Sequence, residues 1–183
     1  KLNAQAELLR GAGGLPPDAL VEREGAILDD MIRVVDAHHD PRPGSMVRIG
    51  LAPCSPFTVS PDLMRESAAL ARAYGVSMHT HLAENDNDVA YSRERFDRSP
   101  AQYAADLGWV GRDVWHAHCV KLDGDGIAHF ARTGTGVAHC PTSNGRLGAG
   151  IANVPALLAA GAPVGLGVDG AALAADRPLL GQL

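Results

Sequence analysis

The apolar positions Leu20, Ile27, Leu28, Met31, Ile32, Val34 and Val35 recur at helical spacing and predict a helix over about 18–38. Asp40-Pro41-Arg42-Pro43-Gly44 stops it. Upstream, Gly11-Ala12-Gly13-Gly14 and Pro16-Pro17 read as loop. A repeating unit then begins. Met46–Ala52 is strand-like and runs into a Pro53-Cys54-Ser55-Pro56 turn. Ser60 is suited to cap a helix with Pro61 in its first turn, and Gly75 closes that helix.

Val76–Leu82 is the second predicted strand. A polar loop and one or two helices follow, to about Leu107. Val114–His118 is the third strand, followed by a helix from about Asp123 to Thr133. Gly136–Cys140 is the fourth, followed by a loop and a short helix around Val154–Ala160. Pro163–Val168 is the fifth, ending at Asp169. Strand and helix alternate with no hairpin signal, which implies parallel strands joined by helical crossovers. Short strands rich in Val, Leu, Ala and Gly agree with burial on both faces.

Composition narrows the classes. The chain has 183 residues, 46% of them hydrophobic, enough for a sizeable core. Sixteen Lys+Arg against 21 Asp+Glu give a net charge of −5, which argues against a nucleic-acid partner. No stretch approaches a membrane span, and the first residues hold no apolar leader core. Cys54, Cys119 and Cys140 are odd in number and widely spaced, so a cytoplasmic setting is expected. Aromatics are only 4%, which suits elements packed through small residues.

The chemistry sits at the strand ends, which carry Cys54, His79/His81, His118, His139 and Asp169. In parallel α/β folds these ends form one rim, where sites are built. On a strand, residues two apart face the same side, so His79 with His81, and His116 with His118, are expected to look one way. Imidazoles and a carboxylate from separate strands are what a divalent metal needs. Glu84 follows His81 by three residues, within reach of the rim as a proton shuttle.

Each residue also has a bland reading. A lone strand histidine is commonly a core residue, which suits His116 and His139. Glu84 reads as a loop carboxylate, Asp169 as a helix cap, and Asp86 and Asp88 as a solvated face. Cys119 and Cys140 read as small buried side chains. Asn85-Asp86-Asn87-Asp88 lacks the glycine and distant glutamate of a calcium loop. The joint placement of His81, Glu84, His118 and Asp169 outweighs the separate bland readings.

Four segments carry a resemblance: His79-Thr80-His81-Leu82-Ala83-Glu84; Ala117-His118-Cys119-Val120; His139-Cys140-Pro141-Thr142-Ser143-Asn144 with Leu147-Gly148; and Gly165-Leu166-Gly167-Val168-Asp169-Gly170. In this order they resemble the amidohydrolase superfamily, in its branch of aminohydrolases acting on purines, pterins and triazines. Leu51–Phe57 is most similar to the 8-oxoguanine deaminase and hydroxyatrazine-hydrolase group. The resemblance runs from about residue 13 to 171.

The resemblance implies a TIM-like (β/α)8 barrel, of which this chain holds the later strand–helix units. It implies one divalent ion, Zn first and Fe second, with His81 and Asp169 as metal ligands. Glu84 would shuttle protons and hold the substrate's ring amide. His118 would contact the attacking water or the substrate and steady developing charge. Asp169 would also accept the water's proton. Glu84, His118 and Asp169 are thus the catalytic candidates, and Glu84 and His118 also bind substrate. The implied reaction is hydrolytic deamination of 8-oxoguanine or guanine, with ammonia released.

The family takes two further ligands from a His-x-His after its first strand, and neither pair here stands in that place. Residues 1–17 and 172–183 match poorly. The 183 residues therefore read as part of a barrel that needs about 250, and the chain as written is expected to be inactive. Rival readings are a triazine or pterin hydrolase, a catalytically silent barrel used for binding or assembly, and a doubly wound ligand-binding domain. The last has no glycine-rich phosphate loop after the first strand. A homo-oligomer is among the expectations.

Overall fold

The computed structural model describes residues 21–170. The segments 1–17 and 172–183 lie outside the described residues. The chain divides into two compact units, residues 1–80 with 107–109, and residues 81–106 with 110–183.

In the first unit, α1 (Glu24–His38) precedes β1 (Gly50–Leu51), α2 (Pro61–Tyr74) and the start of β2 (Ser77–Leu82). β1 and β2 pair in parallel, Gly50 opposite Ser77 and Leu51 opposite Met78. Leu63 N donates to the Ser60 side chain, Pro61 opens α2, and Gly75 closes it in the left-handed region (φ 66°). Ile27, Leu63, Met64, Ala71, Met78 and Trp109 are fully excluded from solvent or nearly so. The Trp109 indole satisfies its buried N–H on Met64 O at 2.8 Å.

Two expectations are corrected here. α1 starts at Glu24, not Asp18. The first strand shrinks from Met46–Ala52 to Gly50–Leu51, because Met46 and Val47 are 97% and 52% exposed and only Leu51 is buried.

In the second unit, α3 (Asp86–Phe96) and α4 (Pro100–Asp106) precede β3 (Val114–His118), α5 (Gly124–Thr133) and β4 (Gly136–His139). Then come α6 (Pro141–Arg146), α7 (Val154–Ala160) and β5 (Val164–Leu166). β3 pairs with β4 and β4 with β5, both in parallel, with Ala117 opposite Ala138 and His139 opposite Leu166. Parallel strands with helical crossovers were the expectation, and they are present. Asn85 caps α3 by accepting from Asn87 N and Asp88 N, so the polar tetrad is a helix start. Helix α6 replaces an expected loop. Pro141 in its first turn was the available signal.

Candidate metal and proton-transfer site

The site lies wholly within the second unit, at the C-terminal ends of its strands. Backbone bonds gather those ends. Cys119 N donates to Leu82 O at 3.0 Å, Lys121 N to Ala83 O at 2.8 Å, and Gly167 N to His139 O at 2.8 Å. Gly167 permits the last approach, since a Cβ there would stand 2.8 Å from Cys140 Sγ.

Five non-glycine residues among those described have positive φ. Four of them, Ala83 (49°), His118 (71°), Cys119 (51°) and Asp169 (59°), sit at these strand ends. Each such conformation costs of order 1 kcal/mol or more, and such strain gathers where a site over-determines its backbone. His118 is the clearest case. Its φ ends the strand's alternation, so the expectation that His116 and His118 share a face fails. His116 is fully buried and stacks on Phe130 of α5, ring centroids 5.2 Å apart. His118 stacks on His81 at 5.3 Å.

The four predicted residues meet around the His118 ring. Its Nε2 lies 3.8 Å from Glu84 Oε1 and 3.9 Å from Asp169 Oδ2. Its Nδ1 lies 2.8 Å from Asn144 Oδ1. Ser143 Oγ donates to Asp169 Oδ2 at 2.6 Å. Ser143 and Asn144 are both fully buried, and the sequence gives neither residue a role of its own. Any helix that Asp169 would cap lies outside the described residues, and its carboxylate accepts from Ser143.

Asp88 is a second correction. It is half-buried, not part of a solvated face, and its Oδ2 accepts from Glu84 N at 2.8 Å. Burial pushes the Asp88 carboxyl above its usual range, opposed by that hydrogen bond. Asp86 is exposed, as expected, and pairs with Lys121. Cys119 and Cys140 are buried free thiols, as expected, and burial raises both.

The donor set tests whether a divalent ion fits. One ligand atom each from His81, His118 and Asp169 lie within 4.8 Å of one another. Donors bonded about 2.1 Å from one ion stand at most about 4.2 Å apart, so small side-chain rotations would close the group. Two imidazole nitrogens and a carboxylate oxygen are also the right chemistry for such an ion. The residues fit.

Comparison with known proteins agrees. The model of the amidohydrolase family matches residues 9–182. The chain belongs to the amidohydrolase family. It is 42% identical over 179 residues to an 8-oxoguanine deaminase of Pseudomonas aeruginosa, covering 94% of this chain and 40% of that protein. It is 45% identical over 183 residues to an isoxanthopterin deaminase of an unknown prokaryotic organism, covering 94% and 38%. Among solved structures it is similar to the atrazine chlorohydrolase of Arthrobacter aurescens TC1 complexed with zinc. That match has a TM-score of 0.83 at 33% identity, and covers 90% of this chain and 36% of the other. The chain thus spans well under half the length of these relatives, and its parallel α/β units correspond to part of an amidohydrolase barrel. No helix among the described residues is long and apolar enough to cross a membrane.

Proposed function

We propose that the protein is a metal-dependent hydrolytic deaminase of an amino-substituted nitrogen heterocycle, with 8-oxoguanine or guanine as its substrate class. The observation that carries this reading is the His118 ring set between two carboxylates of different origin. Glu84 comes from the loop after β2, and Asp169 from the end of β5. Hydrolysis of a ring C–NH₂ bond begins with two proton movements, one from water and one to the heterocycle. Two carboxylates at one imidazole supply both.

His81 and Asp169 would hold the ion, with His118 at the same cluster. A divalent cation bound there would supply Lewis-acid chemistry that makes water nucleophilic near neutral pH. Asp169 takes the proton that the attacking water loses. Glu84 delivers a proton to the ring nitrogen and holds the ring amide. Asp88 supports it by fixing the Glu84 backbone N–H. His118 contacts the water or the substrate through Nε2. Asp169 passes its proton to the amino group as the C–N bond breaks and ammonia leaves, and the new hydroxyl returns a proton to Glu84 to give the oxo product.

The similarity to an 8-oxoguanine deaminase supports the purine. The similarity to a zinc-complexed atrazine chlorohydrolase supports a second reading, hydrolysis of a substituted triazine on the same residues. Ammonia release from 8-oxoguanine by the intact protein, before and after Glu84→Gln, tests the proposal. Turnover should fall about 10²–10⁴-fold, the worth of one positioned acid–base group. Unchanged turnover would remove Glu84 from the mechanism.

A further inference from the structure

We infer that Asn144 is a positioning residue that fixes the tautomer of His118 and so makes Nε2 a proton acceptor within the site. The inference rests on the deaminase reading and decides a point that reading leaves open, namely whether His118 accepts from water or donates to developing charge.

The His118 ring is 1% exposed, so bulk water does not choose its tautomer. Neutral imidazole carries one N–H, and the group against each nitrogen decides which. The Asn144 carboxamide oxygen, an acceptor only, lies 2.8 Å from Nδ1. That contact requires the proton on Nδ1. Nε2 then presents a lone pair toward Glu84 and Asp169 at 3.8 and 3.9 Å. A ring nitrogen in this state accepts a hydrogen bond from water or binds a cation. It does not donate to a developing negative charge.

Asn144 is itself fully buried, and its amide nitrogen has no hydrogen-bond partner among the described residues. Burying half an amide unpaired is unfavourable, and the bond to Nδ1 gives the residue a reason to be there. The backbone holds it in place. Asn144 N donates to Cys140 O and Ala149 N donates to Asn144 O, both at 2.9 Å. Its neighbour Ser143 anchors the same helix to Asp169 at 2.6 Å. One short helix therefore orients groups from the ends of β3 and β5.

The test is a long-range ¹H–¹⁵N correlation spectrum of the intact, metal-free protein labelled on histidine, at a pH where the ring is neutral. His118→Gln assigns the peaks. The expected spectrum has a protonated Nδ1 and an unprotonated Nε2. Asn144→Leu should move both ¹⁵N shifts toward the tautomer mixture of free histidine and lower turnover about 10–100-fold. Asn144→Asp keeps an acceptor at Nδ1 and should restore the wild-type tautomer, a rescue that a purely structural role would not give.

A wild-type ring protonated on Nε2 would overturn the inference even if no variant folds, because the amide would then be reversed. A tautomer unchanged in Asn144→Leu would overturn it too. Neither result depends on the substrate, so a failure of the purine assignment stays distinguishable from a failure of this one.

Discussion

His116 and His118 stand two residues apart on β3, and both are closed to solvent, at 0% and 1% exposure. Their ring contacts differ. His116 lies flat against Phe130, inside the layer where strand packs on helix. His118 is turned by a positive φ into a cluster of His81, Glu84, Asn144 and Asp169. Burial alone therefore does not mark a functional histidine. The kind of neighbour separates the two: an aromatic ring makes imidazole a packing element, whereas carboxylates and a carboxamide are the neighbours that the proposed proton-handling role requires.

The sharpest way to break this comparison is to neutralise one of those carboxylates. Asp169→Asn keeps the shape of the side chain and removes its capacity to take a proton. Ammonia release by the intact protein should fall about 10³-fold, while the thermal unfolding midpoint stays close to that of the parent. Retained turnover would mean that the strand-end cluster is a packing device like its neighbour, and the contrast would collapse.

The reverse experiment follows on His116. His116→Ala opens a cavity against Phe130 and should cost about 2–4 kcal/mol in urea unfolding. Turnover per folded molecule should be unchanged within about twofold, since the ring lies outside the proposed site. A large loss of turnover with little loss of stability would place His116 on the chemical side and erase the distinction.

Much of this contrast was legible in the residues. Parallel strands, their order and the recurrence of His and Asp at strand ends follow from alternation of elements and from turn chemistry. Ser60-Pro61 and Gly75 marked α2 because capping is a local rule. The facing of His116 and His118 was not legible, because period-2 reasoning assumes extended backbone and His118 leaves it. Ser143 and Asn144 were overlooked for a related reason. Their partners, Asp169 and His118, lie 26 residues away along the chain, and no local pattern encodes which hydroxyl or amide reaches which ring. Asp88 reads as surface because its partner is a backbone N–H, which leaves no trace in side-chain pattern.

The smallest expected effect concerns the third buried histidine, on the next strand. His139 is 9% exposed, and its Nδ1 has no hydrogen-bond partner among the described residues. Burial holds its pKa below the ordinary value of 6.5. The sign follows from proton counting. As pH falls through 6.5, the unfolded chain takes up a proton at this site that the folded protein still refuses. The unfolded state binds more protons there, so stability contributed by His139 is complete above that value. It is lost progressively as pH falls toward the folded pKa. His139→Gln keeps a polar side chain of similar reach and does not titrate. Urea midpoints measured for both proteins from about pH 7.5 to about pH 5 should therefore fall more steeply for the parent. Parallel curves would mean that His139 is protonated as readily in the fold as out of it. Burial without a partner would then no longer separate it from His118, whose ring has a carboxamide at one nitrogen and two carboxylates near the other.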